Sequence, residues 1–129
     1  MTTHEILEKY YETANAGNWD AWCDLFHEEY VMDEQLAGRL TGLDTLRSIM
    51  SGFPTAYFKF VNTPKHFIVD GDKAAAVSHI SALAMKYQDE PIEADAMNFF
   101  EFKDGKISYM ANYHDSKPFA PFLRQLSEG

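Results

Sequence analysis

Cysteine occurs once in this chain, at Cys23, so no internal disulfide can form and no second thiolate is at hand for a zinc knuckle. Its plain reading is a small buried hydrophobe. Basic residues are also scarce: 11 Lys and Arg face 20 Asp and Glu, for a formal charge of −9, and the cations are scattered singly. A polyanion without a basic patch is repelled by phosphate backbones and anionic lipid, so neither nucleic acid nor membrane is expected as a partner. No apolar run approaches the roughly 20 residues that cross a bilayer. The amino-terminal MTTHEILEKYYE lacks the basic start and apolar middle of a secretion signal, which makes a cytoplasmic location the expectation. Repeats, low-complexity tracts and Gly/Ser linkers are missing too, and one domain over residues 1–129 follows. No Ser-His-Asp grouping, phosphate-binding Gly loop or dinucleotide fingerprint occurs, so no cofactor is expected.

What is present is apolar and aromatic: 46% hydrophobic and 15% aromatic residues, enough for a packed core. Helical spacing of Ile6, Leu7, Tyr10, Tyr11 and Ala14 predicts a first helix from a Thr3 cap to about Ala16, ended by Gly17. A second, shorter helix begins near Asn18 or Asp20, with Asn18 as its candidate cap, and carries Trp22, Leu25 and Phe26. Tyr30 to Met32 reads as a short strand ending in Asp33 and Glu34. A third helix presents Leu43, Leu46, Ile49, Met50 and Phe53 and stops at Gly52 and Pro54.

From Tyr57 onward the period is that of strands. Tyr57 to Val61 and His66 to Val69 are separated by Pro64, which predicts an edge strand or a bulge. Asp70-Gly71 signals a hairpin into a long strand from Ala74 to Tyr87, and Gln88 to Pro91 is expected to turn it back. Met97 to Asp115 forms a second hairpin about Lys103-Asp104-Gly105-Lys106. On its first arm Ala96, Asn98, Phe100 and Phe102 share a face, which leaves Asn98 as a lone amide among apolar neighbours. It is either a core asparagine bonded to backbone or a polar group aimed into a pocket. Phe119, Phe122, Leu123 and Leu126 suggest a last helical turn or two between Pro118 and the end. Helices first and an antiparallel meander afterwards is an α+β arrangement with helices on one face of a curved sheet.

The Ala-Gly-Asn-Trp-Asp joint at 16–20, the Leu-Thr-Gly entry to the third helix and the Phe-x-x-Gly-Lys-Ile hairpin ending in Tyr113-x-Asp115 resemble the SnoaL-like branch of the nuclear-transport-factor-like superfamily. The resemblance spans nearly the whole chain and implies a cone with a pocket between sheet and helices. It does not imply one chemistry, because that superfamily holds isomerases, dehydratases, cyclases, epoxide hydrolases and non-catalytic domains. Set against the ketosteroid isomerases, with Gly17 and Gly105 as anchors, Tyr10 falls at an oxyanion-hole tyrosine and Glu34 at the catalytic aspartate. Asn98 falls at the second oxyanion donor. Glu34 and Asn98 thus differ in type from the residues they match, and the acid and base roles given to them are those that the resemblance implies.

If Asn98 points inward, the resemblance turns His79, Ser81, Leu83 and Met85 of one neighbouring strand into the pocket. From the other strand it turns in Met110, Asn112 and His114, and the third helix adds Met50 and Phe53. Glu34 would act as base and Tyr10 with Asn98 as oxyanion donors; strand alternation sends only one of Asp33 and Glu34 inward. Core packing is an equal reading of Tyr10. Three functional classes stay open. One is an isomerase or cyclase acting on a small, largely apolar carbonyl compound; another is a dehydratase centred on His79 and His114. The third is a non-catalytic ligand-binding dimer. A metal site is not expected, since His66, His79 and His114 lack ligand spacing. Met97, Phe99, Tyr109 and Tyr113 on the outer sheet face predict a homodimer.

Overall fold

The computed structural model describes all 129 residues, Met1 to Gly129. Its first helix, α1 (Thr3–Asn15), is started by Thr2: the Thr2 hydroxyl accepts from the Glu5 amide at 3.1 Å, and the Glu5 carboxylate accepts from the Thr2 amide at 2.9 Å. This reciprocal pair satisfies two amides that the helix leaves open, and it puts the cap one residue before the expected Thr3. After Gly17, whose φ of 70° suits a residue without a side chain, α2 (Trp19–Cys23) is capped by Asn18 as expected, with Oδ1 accepting from the Ala21 amide at 3.2 Å. Leu25 and Phe26 are buried but lie beyond this helix, because Phe26 already opens β1 (Phe26–Glu34). That strand is longer than the Tyr30–Met32 piece read from sequence. A short β2 (Gly38–Thr41) folds back on it and leads to α3 (Leu43–Ser51). Pro54 sits in the first turn of a further helix, α4 (Phe53–Ala56), where its missing amide hydrogen costs nothing.

The remaining strands are β3 (Tyr57–Asp70), β4 (Lys73–Ala84), β5 (Tyr87–Lys103) and β6 (Lys106–Tyr113), in one sheet of order β2-β1-β6-β5-β4-β3. Pro64 lies on β3, which is an edge strand, and a register shift falls between Pro64 and His66, so both anticipated devices occur together. The turn between β4 and β5 is Met85-Lys86; Gln88 to Pro91, expected to be the turn, instead begins β5. β3 to β6 form the antiparallel meander, and β1 joins β6 in parallel, with Met32 beside Met110. The chain ends in α5 (Ala120–Ser127), entered through a single 3₁₀ turn at Lys117–Phe119.

The helices cover one face of this curved sheet, and α1 contributes Tyr10 to its centre. The Tyr10 ring meets Tyr11 and Phe100 edge-on, with centroids 4.8 and 5.3 Å away, and tilts against Trp22 at 5.5 Å. Such aromatic pairs add roughly 0.5–1.5 kcal/mol each to their burial. A second cluster under α5 gathers Tyr57, Ile80, Ile92 and Phe119. Gln125 ties α5 down: its Nε2 donates to the Ala56 carbonyl at 2.9 Å and its Oε1 accepts from the Lys86 amide at 2.7 Å. No helix is long and apolar enough to cross a membrane.

The β5–β6 turn places Asp104 at φ 54° and Gly105 at φ 72°, the two positive angles of a tight hairpin turn. A Cβ on Gly105 would meet nothing within 4 Å, so replacement there tests backbone strain alone. Gly105→Ala should lower stability by about 1 kcal/mol through the left-handed region. In urea the midpoint should fall with the slope unchanged; an unaltered midpoint would show that the turn does not need its glycine.

Candidate functional site

Between sheet and helices lies an apolar cavity of about 410 Å³. Which side chains reach it follows from the register of β5. Asn98 pairs with Ala76 on β4 and with Asn112 on β6, and directly opposed residues share a face. On β4, Ala76, Ser78 and Ile80 therefore face inward and are buried. Val77, His79 and Ser81 pair with Met97, Asp95 and Glu93 on the outside.

Of the residues expected at the site, Tyr10, Glu34, Met50, Phe53, Asn98, Met110, Asn112 and His114 line this cavity. His79, Ser81, Leu83 and Met85 do not, and the expectation that they do is corrected by one residue of register. His79 lies on the outer face between two carboxylates, Nδ1 at 2.8 Å from Asp95 and Nε2 at 3.1 Å from Glu93. Ser81 accepts from Lys59 on the same face at 3.2 Å.

Glu34 and Asp33 are separated by strand alternation. Asp33 faces out, where Arg39 grips both its oxygens at 2.8 and 2.9 Å and the Tyr109 hydroxyl donates to it at 2.6 Å. Those partners hold the Asp33 carboxyl down at about 2. Glu34 faces the cavity, and its Oε2 accepts from the amides of Leu36 (2.7 Å) and Ala37 (2.5 Å) in the β1–β2 turn. Oε1 keeps only a long contact, 3.4 Å from Asn112 Nδ2, while Asn112 Oδ1 takes the Gln35 amide at 2.7 Å. The carboxylate thus holds its own turn with one oxygen and presents the other.

Tyr10 is buried, and its hydroxyl is pushed well above the ordinary phenol range by burial first, then by Tyr11 and the Glu34 charge. It stays protonated at neutral pH and can donate. Asn98 is nearly fully buried, and its Nδ2 donates to the Tyr11 hydroxyl at 2.9 Å, so one of its two amide hydrogens is already engaged. His114 Nδ1 sits 2.8 Å from the Asp115 carbonyl, which can only accept; Nδ1 therefore carries the hydrogen and Nε2 is left as the basic nitrogen.

Other lining residues escaped the sequence reading. Tyr57 shares the cavity, and its hydroxyl is raised by burial and then by the Glu34 charge. Trp19 packs on Phe53 at 4.6 Å and near Phe60 at 6.4 Å, and Phe122 stacks on Tyr57 at 4.8 Å. The available signal was the density of aromatic residues at 53–60 and 119–122, which strand periodicity alone does not assign to a face. Asn62, also unforeseen, lines the same cavity from β3. A second depression, bounded by Asp24, His27, Arg47, Asp104 and Lys106, is polar and open, and its ions pair with one another, Arg47 with Asp24 at 2.5 Å. No group of three or more His, Cys, Asp or Glu is placed to hold a metal ion.

A family model described as SnoaL-like domain matches residues 7–110. The chain belongs to the SnoaL-like domain family. None of the curated protein sequences matches it. Among solved structures, this SnoaL-like chain is similar to a protein named as a polyketide cyclase from Pseudomonas putida, 22% identical, with a TM-score of 0.79 over 94% of this chain and 97% of that one. A protein of ketosteroid isomerase-like fold from Catenulispora acidiphila, solved with trimethylamine, is 15% identical with a TM-score of 0.77 over 87% and 86%. TerC, co-crystallised with polyporic acid, is 16% identical with a TM-score of 0.79 over 93% and 96%. At these identities the likeness is one of fold.

The outer-face cluster makes a pH prediction. Asp95 first, then Glu93, raise the His79 imidazole; Asp95 is lowered by His79 first, and Glu93 by Ser81 first and then His79. A raised folded-state value means that the stabilisation is complete below the unfolded value of about 6.5 and is lost as pH rises through the folded one. The melting-temperature gap between wild type and His79→Gln should be widest near pH 6, roughly, and close above neutrality. A gap that grows with pH would contradict the assignment.

Proposed function

We propose that this single SnoaL-like domain is a cofactor-independent enzyme of isomerase or cyclase type, acting on a small, largely apolar carbonyl compound by general acid–base proton transfer. The observation that carries the reading is that the Glu34 carboxylate and the Tyr10 hydroxyl open on the same apolar cavity. In this reading Glu34 Oε1 removes a proton from the carbon next to a carbonyl, the C–H pair moves into the enolate, and Tyr10 donates to the oxygen that gains the charge. Glu34 then returns the proton, to a different carbon in an isomerisation or to the new alkoxide if the enolate has attacked a second carbonyl. Asn98 supports the oxyanion with the amide hydrogen that Tyr11 leaves free. Solved neighbours named for polyketide cyclase and for a ketosteroid isomerase-like fold support a cyclase or isomerase type of enzyme. A cytoplasmic location is part of the same reading.

A dehydration centred on histidine is the second reading, and it now rests on His114, since His79 lies outside the cavity. The half-buried His114 ring packs on Phe119 at 4.6 Å with Nε2 free to take a proton. The non-catalytic alternative is the same cavity used for binding alone.

Exchange of the α-hydrogens of β-tetralone in D₂O, followed by NMR, separates these readings. Wild type should accelerate the exchange over buffer. Glu34→Gln keeps an acceptor for the Leu36 and Ala37 amides, so it should fold and lose on the order of 10²–10⁴ in rate. Tyr10→Phe should lose about a hundredfold, and His114→Ala should change little. Full exchange activity in Glu34→Gln would reject the carboxylate as base, and loss in His114→Ala alone would favour the histidine.

The homodimer is proposed through the outer sheet face, where Met97 and Tyr113 are 49% and 58% exposed and Phe99 and Tyr109 lie edge-on at 6.2 Å. Exposed groups of this size are commonly covered by a second copy. Light scattering should give about twice the 14.8 kDa chain mass, and Met97→Glu should give the monomer; a monomeric wild type at micromolar concentration defeats the proposal.

A further inference from the structure

Two polar atoms in residues of the cavity wall are buried without a hydrogen-bond partner, Trp22 Nε1 and Asn62 Oδ1, and of the two only the asparagine oxygen is an acceptor. Asn62 sits on β3 and is only 7% exposed, yet its Oδ1 has no hydrogen-bond partner. The backbone of the same residue is held firmly. Asn15, at the end of α1, accepts from the Asn62 amide at 2.7 Å and donates to its carbonyl at 2.9 Å, standing in for the missing neighbour of an edge strand. So α1 fixes where Asn62 stands, while the side-chain amide contributes no bond from Oδ1 to the fold.

An unpaired buried oxygen of this kind costs about 1–3 kcal/mol, and an apolar side chain of the same shape would avoid that cost. Native structures keep such groups where something else meets them. The lining of this cavity is mainly apolar, Phe60, Ile80 and Ala96 included, and no group of the protein donates to Asn62 Oδ1. The amide also turns easily, since rotation about χ2 of asparagine is soft and exchanges the oxygen with the nitrogen. Once turned toward the cavity it offers an acceptor and a donor side by side, which suits a hydroxyl group: that group donates to Oδ1 and accepts from Nδ2.

We infer that Asn62 is a ligand-recognition residue, and that the molecule the cavity holds carries a hydroxyl group on the side remote from Glu34. The remoteness follows from strand order, because β6, β5 and β4 lie between Glu34 on β1 and Asn62 on β3. Four strand spacings are about 19 Å along the curve of the sheet. The inference rests on the cavity being a small-molecule site and does not depend on which group moves the proton. A ligand read at both ends is positioned as well as held. The carbonyl end lies by Glu34 and Tyr10, and the hydroxyl end by Asn62.

The test compares β-naphthol with methylnaphthalene, which puts a methyl in place of the hydroxyl, by calorimetric titration of wild type and Asn62→Leu. Wild type should prefer the naphthol by about tenfold, the worth of a buried hydrogen bond. Asn62→Leu should lose that preference while melting at the same temperature or higher, which a structural asparagine would not allow. An equal preference in both proteins overturns the inference alone and leaves the cavity reading intact. Failure of both probes to bind wild type overturns the inference and the small-molecule site together. Should Asn62→Leu not fold, the Asn62 side-chain amide signals of ¹⁵N-labelled wild type decide: naphthol should shift them and methylnaphthalene should not, and equal shifts count against the hydroxyl.

Discussion

The pairing of β5 with its two neighbours is the constraint on which the rest depends. β5 is the longest strand and sits inside the sheet, and Asn98 is opposed by Ala76 on one side and Asn112 on the other. Because side chains alternate strictly, that one register decides the inward set on β4, β5 and β6 together. It sends Ser78, Ile80, Ala96, Phe100 and Met110 into the molecule and His79, Asp95, Glu93 and Met97 out of it. A slip of one residue would bury a histidine with two carboxylates and expose Phe100. The burial of Phe100 against Tyr10 alone, at roughly 1.5–3 kcal/mol for a large side chain, opposes such a slip.

The cavity combines apolar packing with a few polar side chains. Its wall is mostly aromatic, and the polar atoms it does carry are treated differently from one another. Glu34 has one oxygen satisfied by two backbone amides, and Asn112 spends its own amide on the same turn. The Tyr10 and Tyr57 hydroxyls are held neutral by burial and by the nearby charge of Glu34. A carboxylate oriented by backbone, facing phenols that cannot ionise at neutral pH, has donor and acceptor roles assigned before any ligand arrives. The acid–base chemistry proposed for this cavity would draw on such preorganisation.

Much of the fold was legible in the sequence because it rests on local signals. The Asp104-Gly105 turn, the Asn18 cap, the Gly71 hairpin and the Pro64 interruption each reflect backbone preferences of one or two residues. The parallel pairing of β1 with β6 was not legible, since it joins residues some 78 positions apart and leaves no local trace. The turn at Met85-Lys86 was misplaced for a related reason: Gln88 to Pro91 has the stronger turn composition, but Gln125 on α5 caps the Lys86 amide and fixes the reversal there. At the site, residues that the family resemblance matched on the first helix and at the end of the first strand were brought to the cavity, Tyr10 and Glu34 among them. Those that depended on the phase of β4 were not, because Val77-Ser78-His79-Ile80 alternates between two plausible faces and only its partners choose. Asn62 had no sequence signal at all; what marks it is an oxygen without a partner.

Asp33 and Glu34 show how the fold divides like residues into unlike roles. They are adjacent, similar in chemistry and on one strand, and the alternation of that strand puts them on opposite faces. Outside, Asp33 meets a guanidinium and a phenol, is held ionised far below neutrality, and so has no proton to exchange under ordinary conditions. Inside, Glu34 meets no cation and only neutral donors, so its charge is balanced by dipoles alone. A base must be able to gain a proton during the reaction, and an ion pair as close as that of Asp33 penalises that gain. On the proposed reading the outer carboxylate is therefore excluded from proton transfer by its partners as much as by its position, and the role of base falls to the residue that has no arginine.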